Sequence, residues 1–91
     1  MKFYNERAKK CYPGLSFTMT GFELRDSKFL SPVKQVVAYA EDDEAYYMPA
    51  SFCRFVASHG VDLDALIGAS FEIVERETVN GRVGLYVEGG R

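Results

Sequence analysis

VVAYAEDDEAYYMPASFCRFVASH, residues 36–59, decides the reading of the chain. Val36, Val37 and Tyr39 form one β-prone run, and Tyr46, Tyr47 and Met48 form another. Between them stand Glu41, Asp42, Asp43 and Glu44. Asp tolerates positive φ and bonds its own backbone, so Asp42-Asp43 is expected as a two-residue turn. That turn places Glu41 opposite Glu44, Tyr39 opposite Tyr46 and Ala38 opposite Tyr47. Side-chain alternation then groups Val36, Ala38, Ala40, Ala45 and Tyr47 on one face, with Val37, Tyr39, Tyr46 and Met48 on the other. Both faces carry apolar bulk, so one is expected to be core and the other a contact surface.

A helix follows at once. Pro49 ends the strand because it cannot donate a ladder hydrogen bond. Ser51 is a suitable N-cap. Phe52, Phe55, Val56 and His59 recur at helical spacing, and Gly60 can close the helix in the left-handed conformation. So short a helix does not hold alone in water, which predicts that it packs across the end of a barrel.

Upstream, Leu15, Phe17 and Met19 alternate with Ser16, Thr18 and Thr20. The phase slips at Gly21, where Phe22 and Leu24 take over the apolar positions. A glycine at a phase slip predicts a bulge or bend that lets one strand serve two sheets. Residues 25–32 form a loop, in which Phe29-Leu30 is expected to tuck back as a plug. Residues 1–14 form an N-terminal arm ended by Pro13-Gly14. The arm interleaves basic and aromatic residues.

Downstream, Asp62 can cap a single turn over residues 63–67, stopped by Gly68. Residues 69–79 and 82–88 read as two strands, with Asn80-Gly81 as the hairpin turn between them. A two-residue turn opposes Thr78 to Val83, Arg76 to Leu85, Glu75 to Tyr86 and Val74 to Val87. Val74, Val83, Leu85 and Val87 then form a core face, with Glu75, Glu77 and Tyr86 on the other. Residues 89–91 are a flexible tail.

The chain has 91 residues, which is one domain. Its 47% hydrophobic and 26% charged residues argue against disorder. No apolar run approaches the roughly 20 residues of a membrane span, and the N-terminus lacks the apolar core of a signal peptide. A cytoplasmic protein is expected. Residues 1–40 carry seven Lys/Arg and three acids, and residues 41–91 carry four Arg and ten acids, so the halves are +4 and −6. This asymmetry predicts one basic and one acidic face.

The chemistry of catalysis is missing. Cys11 and Cys53 lack an obvious base and read as reduced thiols, Cys53 as a small buried hydrophobe. One His and no C-x-x-C exclude a structural zinc site. The acidic run lacks the spacing of a Ca²⁺ loop and reads as a solvated hairpin tip. No catalytic residue, metal or cofactor is assigned, and the protein is not expected to be an enzyme.

The order is therefore long bent strand, strand, strand, helix, strand, strand. In that layout, with the helix between strands three and four and Leu66-Ile67-Gly68 before strand four, residues 15–88 resemble the small OB-fold proteins of bacteria and their phages that are similar to single-stranded-DNA-binding proteins. The resemblance implies a mostly β, five-stranded Greek-key barrel with one helix. It also implies binding of single-stranded nucleic acid on the face of strands two and three and on the flanking loops. Single strands need rings for stacking and cations for phosphates. Tyr39 and Tyr46 are the candidate stacking pair, with Arg25, Lys28 and Lys34 as cations. Phe29, Arg76, Arg82 and Tyr86 are the remaining candidates. The competing class is a protein-interaction or inhibitor module. It would use the Val37, Tyr39, Tyr46 and Met48 face, as in a homodimer, or dock its acidic half on a basic partner.

Overall fold

Gly21 is where the longest strand changes partner. The computed structural model describes residues 8–89 and contains six strands and one α-helix. The elements are β1 (Lys9–Lys10), β2 (Ser16–Arg25), β3 (Gln35–Ala40), β4 (Ala45–Tyr47), α1 (Ala50–His59), a 3₁₀ turn (Leu63–Leu66), β5 (Ser70–Glu77) and β6 (Val83–Gly89). The first residues of β2, Ser16 to Thr18, pair with β5, and the remainder, from Met19 to Arg25, pairs with β3. The register shifts between Met19 and Gly21, so the bend expected from the phase slip is present.

The strands lie in the order β1-β4-β3-β2-β5-β6, a sheet curled into a half-barrel. Two features differ from the expected five-stranded closed barrel. A sixth strand exists, and among the described residues no ladder joins β4 to β6. The edge of β4 is instead taken by β1, which runs parallel to it with Lys9 beside Tyr46 and Lys10 beside Tyr47. A strand edge that is already paired is not open to another strand. Lys9 also reaches Glu44 at 2.8 Å, tying β1 to the hairpin loop.

Both hairpins differ from expectation in the same way. Asp43 N–H donates to Ala40 O and Ala40 N–H to Glu44 O, so the first loop has three residues. Its third residue, Asp43, sits at φ 66°. In the second, Gly81 N–H donates to Thr78 O and Thr78 N–H to Arg82 O, with Gly81 at φ 77°. A type I turn followed by a left-handed residue is the common three-residue hairpin loop. Adding one loop residue slips each register by one and reverses which side chains share a face. Ala38 now pairs with Tyr46, Tyr39 with Ala45, and Val37 with Tyr47. Likewise Val74 pairs with Tyr86, Glu75 with Leu85, Arg76 with Gly84 and Glu77 with Val83. Val74 therefore leaves the face it was expected to share with Leu85 and Val87, and Glu75 and Glu77 join that face.

The core is lined by Phe17, Met19, Val36, Ala38, Tyr46, Met48, Phe71 and Ile73, all buried. No polar or charged side chain is buried among the described residues. α1 packs on β3 and β6 and covers the open side of the half-barrel. Its buried residue is Cys53, whose Sγ accepts from Val36 N–H at 3.3 Å, while Phe55 stays 52% exposed. Cys53 is thus the small buried hydrophobe the sequence suggested. The helix begins two residues earlier than expected, with Pro49 as N-cap, and Ser51 is not the cap. Ser51 Oγ instead donates to Leu85 O at 2.8 Å. Since Thr78 and Arg82 are a hydrogen-bonded pair, the carbonyl of Leu85 points away from β5, to the free edge of β6. The helix N-terminus therefore sits where a closing strand would add. Gly60, at φ 60°, ends α1 as expected, and Asp62 caps the 3₁₀ turn through Asp64 N–H at 3.1 Å.

Candidate functional site

The pleat of β3 and β4 puts Val37, Tyr39, Ala45 and Tyr47 on the face turned away from the core. The outer half of β2 adds Gly21, Glu23 and Arg25, which lie opposite Tyr39, Val37 and Gln35. These residues form one connected group. Arg25 Nε donates to Glu23 Oε2 at 3.2 Å, and Arg25 Nη1 donates to Tyr47 OH at 2.9 Å. The guanidinium carbon lies 5.5 Å from the centre of the Tyr47 ring, within cation–π range. Tyr39 OH donates to the second carboxylate oxygen of Glu23 at 3.1 Å. Both rings are half-buried, and Val37, between Glu23 and Tyr47 in the ladder, is fully buried. Arg25 Nη2 is buried and makes no hydrogen bond. It is a donor without an acceptor in a group otherwise satisfied.

The expected stacking pair is corrected by this register. Tyr39 is on the outer face, but Tyr46 points into the core, 5% exposed and stacked on Phe17 with ring centres 5.3 Å apart. Burial raises the pKa of its phenol. Tyr47 is the partner of Tyr39, as a diagonal cross-strand neighbour. A three-residue reading of the loop Glu41-Asp42-Asp43 is the signal that would have identified Tyr47.

The other candidates fall into two further places. Lys28, Phe29 and Lys34 belong to the loop from β2 to β3, beyond Arg25. Leu30 anchors that loop at 8% exposure, whereas Phe29 is 95% exposed. Only half of the expected Phe29-Leu30 plug is therefore made. Lys34 pairs with Asp26 at the surface, and this ammonium holds the Asp26 carboxyl below its usual range. Arg76, Arg82 and Tyr86 sit on the β5–β6 hairpin, away from the Tyr39 group in the ladder order. Arg76 pairs with Glu88, which stands directly opposite Glu72, so its charge offsets a like-charge cross-strand pair.

The acidic tip is engaged locally. Glu41 accepts from Thr18 N–H, Asp42 from Glu44 N–H, and Glu44 pairs with Lys9. Among the described residues no three His, Cys, Asp or Glu side chains converge in a way that could hold a metal ion. Both cysteines are free, and burial pushes the Cys11 thiol up to about 12 and raises Cys53. Such thiols are poor nucleophiles near neutral pH. Among the described residues no helix is long and apolar enough to cross a membrane. The chain matches no protein-family model, and no curated protein or solved structure is significantly similar to it.

Proposed function

We propose that the protein is an OB-like, non-enzymatic binder of single-stranded nucleic acid with low sequence specificity. The observation that carries this reading is the placement of Tyr39 and Tyr47 on one outer face, with Arg25 held against the Tyr47 ring. Bases stack on such rings whatever their identity, because every base has a π-face. The sequential order β4-β3-β2-β5-β6 within the sheet supports the OB comparison, since it is the order of a five-stranded Greek-key barrel before closure. In this reading the ladder of β2, β3 and β4 is the platform, and Lys28 and Lys34 at its end meet phosphates.

A second reading, a protein-interaction module, is favoured by a specific observation. Arg25, Lys34, Lys9 and Arg76 are each already paired with a carboxylate. Glu23, in the middle of the Tyr39 face, would also repel a phosphate lying over it.

Fluorescence anisotropy with a labelled oligonucleotide at low salt separates the two. Binding that weakens as salt rises is expected for the first. Tyr39→Ala and Tyr47→Ala should each weaken it by about 1–3 kcal/mol. No binding at roughly 100 μM protein, the weak end of non-specific affinities, would discard the nucleic-acid reading.

A further inference from the structure

We propose that the protein self-associates head to tail, the Phe29 ring of one copy entering the apolar groove between α1 and β6 of the next. The ring is displayed, not frayed. Its loop is closed by Ser31 N–H to Ser27 O at 2.9 Å and Val33 N–H to Leu30 O at 2.8 Å, and Leu30 roots it in the core. An aromatic ring at 95% exposure on a closed, anchored loop is unusual on a free surface and is what an interface anchor looks like.

The same molecule carries a receptor for it. Phe52, Phe55, Val61, Leu66, Phe71 and Val87 line a groove of about 490 Å³ beside α1. Phe55, half-exposed and stacked on His59, forms its outer wall. Charge complements shape. Val61 and Leu66, which line the groove, bracket Asp62 and Asp64 in the chain. Neither Asp62 nor Asp64 has an ion pair among the described residues. Phe29 is preceded by Lys28, which likewise has none, so a cation accompanies the ring.

Placement makes the contact heterologous. The base of the Phe29 loop, Pro32, Val33 and Lys34, lines the flank of α1 formed by Val56 and Ala57. The groove lies on the Phe52 and Phe55 flank. Ring and receptor are on two sides of one helix, and a head-to-tail contact that does not close gives an open chain.

The test is sedimentation velocity across a concentration series, at low and high salt. Species that grow beyond a dimer with concentration and shrink with salt are expected. Phe29→Ser and Phe55→Ser should each sediment as monomers alone, and their mixture should give a 1:1 complex, because each keeps the half that the other lost. Lys28→Glu should reduce association in the same direction without touching the ring. Circular dichroism on each variant confirms that it is folded. A wild-type monomer at roughly 500 μM in low salt, a dimer of fixed size, or folded variants whose mixture remains monomeric would each overturn the proposal.

Discussion

Gly21 and Tyr39 stand opposite each other across β2 and β3, and a Cβ at position 21 would come within 3.2 Å of Tyr39 Cδ2. The glycine at the bulge thus leaves room for the ring. Because Tyr39 OH is held by Glu23, the ring has little freedom to yield. Gly21→Ala lowers the entropy of the unfolded chain, which stabilises the fold by about 0.4–1 kcal/mol, but crowds a packed ring, which costs about 1–3 kcal/mol. A net loss of about 1 kcal/mol is expected in urea unfolding. A change in the near-ultraviolet tyrosine signal should accompany it.

Adjacent tyrosines should behave oppositely. Tyr46 is in the core and Tyr47 on the outer face. Tyr46→Ala should cost about 3–5 kcal/mol, as for other buried aromatics, against a total stability of about 5–15 kcal/mol. Tyr47→Phe should cost far less, about 1 kcal/mol, for the lost hydrogen bond from Arg25. Equal losses in denaturant midpoint would contradict the three-residue loop and the register that follows from it.

The β2–β3 loop offers a similar contrast between neighbours. Leu30→Ala removes a core side chain and should cost about 2–5 kcal/mol. Phe29→Ala removes a ring that touches solvent and should change stability by no more than about 0.5 kcal/mol. Thermal unfolding of the two variants side by side measures the difference.

Alkaline pH should destabilise the fold through Cys11. Its folded thiol titrates at about 12 because burial disfavours the thiolate, whereas the unfolded thiol titrates near the ordinary thiol value of 9.0. From about pH 9 upward the unfolded chain therefore binds fewer protons than the folded one, and stability falls until the folded group also ionises. The contribution is fully present below pH 9 and lost towards pH 12. Burial raises the Tyr46 phenol as well, which adds a loss of the same sign. Urea midpoints at pH 7 and pH 10.5 should differ, and Cys11→Ala should narrow the difference. The same burial should make Cys11 and Cys53 react slowly with a thiol reagent at pH 8 until the chain is unfolded.

Apart from β1, which falls in the expected arm, element identity was legible in the residues alone. The phase slip at Gly21, the helical spacing after Pro49, the stop at Gly60 and the paired runs around Asn80-Gly81 are local patterns, and local backbone preferences and side-chain periodicity are enough to set them. What the sequence left open was decided at longer range. Two- and three-residue hairpin loops are close in energy and use the same Asp and Gly residues. Only packing selects between them: Tyr46 on Phe17 puts Tyr47 outside, and Phe71 and Ile73 in the core beside Leu85 and Val87 set the second hairpin. The fate of the sheet edges is tertiary too. β1 takes the edge of β4, and Ser51 at the start of α1 meets the carbonyl that β6 leaves free, so among the described residues the sheet curls without closing. Those contacts join residues far apart in the chain, and no local pattern encodes which of two distant edges will be covered.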